Sequence, residues 1–406
     1  MRCLLTLLPV FLLSSGPASA QLVRGQDIVV GDFYANGVFR VDPVTGAATL
    51  LRSGPPFQGV ADADVTRNGE VLVCDWSAGA IFKLDPGGAL TTLASGLPGP
   101  IRMAMDHDGS VVVTALTSGQ LLRVSPTGSV STIASGFSRP FAVCVEPGGD
   151  YLVTEDLSGL LWRVDRLTGG KILISNGLSL TQGVANFANG DYAISSGNPD
   201  FIKRIPRAGG PATLLVGSPP LGNPDDIHGD GAGGFYVSES GTPFGNRITH
   251  VDALGNLVVV SASPLFQNPE GLGVAPSLRG PTQVFTGAGA NFTLLLELPA
   301  AAGLRYRIVA SRSAFPGQAM PPGDWRGTPL NPDLIFLQTR AGDVPPFTQN
   351  WSGVLDASGR AVATLNLTPL APGALAGTRL QLHAVTLDPS APSGFGDFSN
   401  LLTLRF

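Results

Sequence analysis

The sequence predicts an all-β chain: a six-bladed β-propeller over residues 27–277, then a small C-terminal β-sandwich of Ig-like type over 281–406. Three observations predict it. A short apolar run recurs six times at intervals of 40–43 residues, and a period near forty with about four strands per unit is the signature of a propeller. The chain holds 53 glycines and 34 prolines with only 14% charged residues, a composition of short strands and tight turns. From about Pro281 the period stops while alternating strands continue.

The six runs are IVVGD from Ile28, VLVCD from Val71, VVVTA from Val111, YLVTE from Tyr151, YAISS from Tyr192 and FYVSE from Phe235. A Gly-containing turn and a second strand follow each, as in LWRVD from Leu161, and a third strand ends the unit, as in STIAS from Ser131. Another apolar segment precedes each run except the first: those around Val60, Ile101, Phe141, Gln182 and Asp225. A sixth such inner strand, at Glu270, has no run after it. Pairing the Glu270 strand with the Ile28 strand completes one blade from both ends of the repeat and removes the exposed sheet edges. The sandwich is read from strands at Phe292, Tyr306, Ala361, Leu380 and Asn400. The segment from Ser313 to Pro346 is a long link.

Arg2, the apolar stretch Leu4–Leu13 and the Ala18-Ser19-Ala20 site read as a signal peptide over residues 1–20, cleaved after Ala20. The chain is therefore expected to be secreted. No later segment has the eighteen or so uninterrupted apolar residues of a membrane span. A net charge of −5 gives no electrostatic basis for binding nucleic acid. After cleavage two cysteines remain, Cys74 and Cys144, in non-adjacent repeats, and both are expected to be buried free thiols. The chain is predicted to be a monomer.

The repeat phrase P-x-G-[apolar], then G-x-[apolar]-[apolar]-V-[ST]-[DE], then R-[IV]-x-x-[DP], resembles NHL-type propellers. It also resembles their relatives, the gluconolactonase (regucalcin)-like lactonases and the streptogramin lyase-like proteins. The resemblance covers the propeller only, and one architecture hosts many functions. In the lactonase-like group, acidic and Asn side chains at inner-strand starts hold a divalent metal. The resemblance puts Asp225, in NPDDI, at the Pro-Asp-Gly carboxylate of that pattern and Glu270, in NPEGL, at an acidic counterpart. Gln182 stands where the pattern has Asn, and Phe141 where it has a further ligand. The lyase-like group pairs a His at an inner-strand start with a Glu at the next strand's end. Glu155 and Glu239 match the Glu, whereas Phe141 and Asp225 stand in place of the His. The sandwich loosely resembles C-terminal modules of secreted bacterial proteins, which implies no activity.

Geometry selects the same region. An inner strand and its successor form an antiparallel hairpin, so the start of one lies beside the end of the other on one face of the ring. Asp32, Asp75, Glu155 and Glu239 sit at the ends; Asp62, Arg102, Gln182, Asp225, Asp226 and Glu270 sit around the starts. That mouth of carboxylates suits a hard cation such as calcium; the lactonase resemblance implies a divalent cation, calcium, zinc or manganese, with Asp225, Glu270, Gln182 and Glu239 as candidate ligands. A carboxylate after V-[ST] also suits a turn cap. His228 is the one imidazole near the mouth, next to Asp226 and Asp230, and is the candidate base. His107, His250 and His383 are given no role, and Trp76 and Trp162 are expected to pack between blades.

The expected function is that of a secreted binding protein using this acidic face for a small molecule, a carbohydrate, a cation or a protein partner. The alternative is a divalent-metal-dependent hydrolase of lactone-like esters.

Overall fold

The computed structural model describes residues 22–187, 189–230, 233–241, 244–279, 291–311, 343–345, 347–366, 379–387, 395–398 and 402–405. The expected signal peptide, residues 1–20, and most of the Ser313–Pro346 link lie outside the described residues. Six four-stranded antiparallel sheets form the propeller. Blade 2 runs Val60–Val65, Val71–Asp75, Ala80–Leu84 and Leu90–Ser95; blade 3 runs Pro100–Met105, Val111–Ala115, Gln120–Val124 and Val130–Ser135. Blades 4, 5 and 6 repeat the pattern from Pro140, Thr181 and Pro224.

Blade 1 is built from both ends of the repeat. Its inner strand, Pro269–Val274, pairs antiparallel with Ile28–Asp32, with Ile28 opposite Val274, Val30 opposite Leu272 and Asp32 opposite Pro269. The ring is therefore closed by backbone hydrogen bonds, as the unmatched sixth inner strand predicts.

The apolar runs form strands because they are rich in Val, Ile and Leu and are buried on both faces by neighbouring blades. Leu72, Cys74 and Ile81 of blade 2, for example, pack on Met103, Val113 and Leu122 of blade 3. Every inner strand carries a β-bulge after its first residue, shown by register shifts such as those between Val60 and Asp62 and between Pro224 and Asp226. A bulge re-aims side chains and leaves backbone groups unpaired. The hydroxyl at the fourth position of the following run fills that need in blades 3 and 6. Thr114 Oγ1 accepts from Arg102 N (3.2 Å) and donates to Phe141 O of the next blade (2.6 Å). Ser238 Oγ accepts from Asp226 N (3.0 Å) and donates to Glu270 O.

The C-terminal unit is a sandwich of two sheets. One orders Leu278–Arg279, Asn291–Glu297, Arg360–Asn366 and Thr348–Gln349; the other orders Ser352–Val354, Arg305–Ser311, Arg379–Leu387 and Phe395–Phe398, with Leu402–Arg405 also paired to Arg379–Leu387. Leu294, Leu296, Ile308, Trp351 and Leu382 form its core. The sandwich touches the propeller: Gly25 N donates to Glu297 Oε2 (3.3 Å) and Gln381 Nε2 to Pro147 O (3.0 Å).

Two side-chain expectations are corrected here. Trp76 does not pack between blades; it directly follows the end of its strand, on the rim, and is 41% exposed. Cys144 is a free thiol, as is Cys74, but it is only half-buried because its strand lines the central channel.

Candidate functional site: an acidic mouth around one arginine

The predicted residues separate into two sets. The strand-end carboxylates Asp32, Asp75, Glu155 and Glu239 are all buried and turned toward backbone amides. Asp32 accepts from Ala35 N (2.9 Å), Gln267 N (2.7 Å) and Asn268 N (2.9 Å). Asp75 accepts from Ala78 N (2.8 Å), Gln58 N (2.7 Å) and Gly59 N (3.2 Å). Glu155 accepts from Ser138 N (2.9 Å) and Ser158 Oγ (2.5 Å). Glu239 accepts from Gly222 N (2.8 Å) and forms an ion pair with Arg247 (2.8 Å). In each case the acceptor ties its own turn to the loop that leads into the blade's inner strand.

The inner-strand set converges on Arg102. This guanidinium, 2% exposed, donates Nη1 to Ala61 O (2.8 Å) and to Ile101 O (3.2 Å) and stands over the Phe141 ring, 5.1 Å from its centre. It reaches from blade 3 to Glu270 of blade 1 (3.7 Å) and to Asp226 of blade 6 (4.0 Å). Its Nε makes no hydrogen bond among the described residues. Asp62 and Asp226 also bridge inner strands, accepting from Met103 N (2.7 Å) and Leu272 N (3.1 Å) of the following blades.

Asp225 accepts from Gln182 Nε2 (3.2 Å), from Ser240 Oγ and, at 3.5 Å, from Asn223 Nδ2. Glu270 accepts from Asn268 Nδ2 (3.0 Å). Asn223-Pro224-Asp225 and Asn268-Pro269-Glu270 are thus one motif, in which an Asn amide turns back on the acid two residues later. Sequence reasoning quoted both triplets but missed their Asn, and their shared N-P-[DE] spelling was the available signal.

Burial first, then mutual repulsion, shapes these acids. Desolvation pushes Asp225 up to about 7; the Ser240 hydrogen bond opposes the rise and Glu270 adds to it. Desolvation also raises Asp62 well above the ordinary carboxylate range, with Asp226 adding to it and Arg102 opposing. Asp226 and Glu270 are raised too, by burial, with Arg102 the main opposing influence on both.

Below Arg102 lies the central channel, a cavity of about 420 Å³ whose lining includes Asp64, Cys144, Asn186 and His228, with His383 of the sandwich also at its wall. His228 is half-buried there, its Nδ1 3.0 Å from Gly229 O. Asp64 is raised by burial while His228 opposes the rise. Burial pushes the Cys144 thiol up to about 12.

The donors do not fit a divalent ion. Among the described residues no group of three or more His, Cys, Asp or Glu side chains is placed to hold a metal. Of the four named ligands, Glu239 is held by Arg247, Glu270 faces Arg102, and Gln182 turns its amide nitrogen to Asp225. A permanently charged guanidinium already stands among the acids.

Comparisons with known proteins place the fold. The chain is similar to a streptogramin B lyase structure, at 17% identity over 64% of this chain and 88% of that one, with a TM-score of 0.50. It is similar to a chain of a nidogen/laminin complex, at 15% identity over 61% of this chain and 98% of that one, with a TM-score of 0.54. A protein of unknown function from Bacteroides caccae gives 16% identity, 62% and 99% coverage, and a TM-score of 0.51. Neither a protein-family model nor a curated protein matches the chain. The molecule is a β-propeller protein by fold. None of its described helices is long and apolar enough to cross a membrane.

Proposed function

We propose that the protein is an exported binding protein whose acidic mouth receives a positively charged group of its ligand. The observation that carries this reading is the imbalance around Arg102, where Asp62, Asp225, Asp226 and Glu270 all act electrostatically on one guanidinium. Acids held in a low-dielectric ring focus a negative potential; burial is the first cause of their raised proton affinities, and Arg102 opposes it. A ligand ammonium or guanidinium relieves that potential. Glu270 is the most open of the four, with its side chain 20% exposed, and is the first contact. Export rests on the N-terminal Arg2, the apolar stretch and the A-x-A site. The nidogen/laminin structure supports the reading only as analogy, since it has the same fold in a protein complex.

Calorimetric titration with N-acetyl arginine amide and with its uncharged analogue N-acetyl citrulline amide (hereafter arginine amide and citrulline amide) tests this. Arginine amide is expected to bind, citrulline amide about tenfold or more weakly, and Glu270→Gln to lose about tenfold in arginine amide affinity. Equal binding of the two amides, or no binding of either, would defeat the reading.

A further inference from the structure

The rim around the mouth is divided. The residue that follows the five-residue run is Phe33 in blade 1, Trp76 in blade 2 and Leu116 in blade 3, but Asp156, Gly197 and Ser240 in blades 4 to 6. Phe33, Tyr34 and Trp76 form a shelf: Phe33 meets Tyr34 edge-on at 5.7 Å between ring centres and Trp76 at 6.2 Å. Tyr34 is 70% exposed, where Tyr and Trp in a core would be covered. The shelf is fitted to the blade boundaries. A Cβ on Gly59 would stand 3.0 Å from the Phe33 ring and 2.4 Å from Ser77 Oγ, and one on Gly99 would stand 3.2 Å from Trp76 Nε1. Glycine lets both aromatics lie close over the loops that enter blades 2 and 3.

The shelf is continuous with the mouth. Phe33 N donates to Asn268 O (3.0 Å), and the Asn268 side chain holds Glu270 (3.0 Å). Trp76 N donates to Gly59 O (2.9 Å), two residues before the Ala61 carbonyl that Arg102 bonds (2.8 Å).

We propose that this shelf seats a segment of a partner protein that carries arginine beside an apolar residue. The apolar residue lies on Phe33, Tyr34 and Trp76 while the guanidinium faces Glu270. Charge complementarity selects this occupant. A sugar would stack on the rings but leave the surplus of carboxylates uncompensated. An anionic membrane would be repelled by the mouth and by the net charge of −5. Aromatic faces attract cations as well as apolar groups, so both halves of the rim favour the same segment. The inference rests on the reading of the mouth as a cation site.

The test is calorimetric titration of the full chain with a capped pentapeptide, one central arginine flanked by phenylalanine and proline. Its citrulline counterpart and cellohexaose are the controls. The arginine peptide is expected to bind, and the citrulline peptide about tenfold more weakly. Trp76→Ala, with unchanged melting, is expected to weaken the peptide about tenfold while leaving arginine amide within about twofold. Glu270→Gln is expected to weaken both. Peptide affinity that ignores both Trp76→Ala and Tyr34→Ala overturns the shelf and leaves the mouth standing. Failure of peptide and arginine amide alike overturns both. Cellohexaose binding that is lost in Trp76→Ala, with the peptide silent, overturns the peptide assignment in favour of a glycan.

Discussion

Two rings of carboxylates surround the same opening, and they differ in what surrounds each oxygen. Asp32, Asp75, Glu155 and Glu239 have backbone amides, a hydroxyl or Arg247 in hydrogen-bonding reach. Asp62, with Ala63 N and Met103 N, and Asp225, with Gln182, Ser240 and Asn223, are hydrogen-bonded as well, but these two, Asp226 and Glu270 share one guanidinium among four acids. A carboxylate given several amide donors is architecture. One that is buried with a shared, insufficient supply of positive charge is left able to answer a ligand. Residue type does not separate the two; the crowding of four acids around one Arg102 does.

The sharpest break of this comparison is Glu239→Ala. Glu239 is fully buried and Arg247 nearly so, and removal of the acid leaves the arginine, among the described residues, with the Pro220 carbonyl (2.7 Å) and the face of the Phe244 ring (4.7 Å) and orphans Gly222 N. Breaking a buried pair from one side costs about 3–5 kcal/mol. A large fall in melting temperature is expected, with arginine amide affinity unchanged in the folded fraction. Lost affinity at preserved stability would move Glu239 into the binding set.

The opposite behaviour is expected of Asp225→Asn. Asp225 binds its proton more tightly when folded, at about 7, than at its ordinary 3.8. Between those values the folded state holds more protons than the unfolded one, so stability falls as pH rises from about 4 to about 7 and levels off above. The Asn variant lacks that slope. It should match the parent near pH 4 and exceed it near pH 8 by on the order of 2 kcal/mol, read from urea unfolding at both values. Parallel pH profiles for the two proteins would show that Asp225 does not carry the strain.

The propeller was legible because its signal is repeated. Six runs at one spacing fix the strands, and an unmatched first run and last inner strand fix the closure at Ile28 and Pro269. The sandwich strands were legible from alternation. The mouth was legible as a neighbourhood, because strand ends and strand starts must meet there, but its division was not. The bulge in each inner strand turns Arg102 and Asp226 toward each other across the ring, and no spacing in one strand reports a contact between blades 3 and 6. Trp76 illustrates the same limit: an aromatic next to a buried Asp reads as packing, whereas the corner it occupies has no blade above it. The Ser and Thr at the fourth position of the runs look like strand fillers, yet Thr114 and Ser238 join neighbouring blades.

The smallest expected effect concerns metal. With Arg102 3.7 Å from Glu270 and 4.0 Å from Asp226, a calcium ion meets a fixed positive charge at the centre of the acids. Millimolar calcium is therefore expected to leave the melting temperature of the parent unchanged, since stabilisation by a ligand follows its affinity for the folded state. Arg102→Met removes that charge, leaves Asp62, Asp225, Asp226 and Glu270 facing one another, and should itself be destabilised. Calcium should then rescue it, by about 2.7 kcal/mol at a hundredfold excess over the dissociation constant. A calcium response in the parent would instead place these acids with the metal-holding propellers and make the arginine a bystander. A response confined to the variant would show that Arg102 occupies the cation's place.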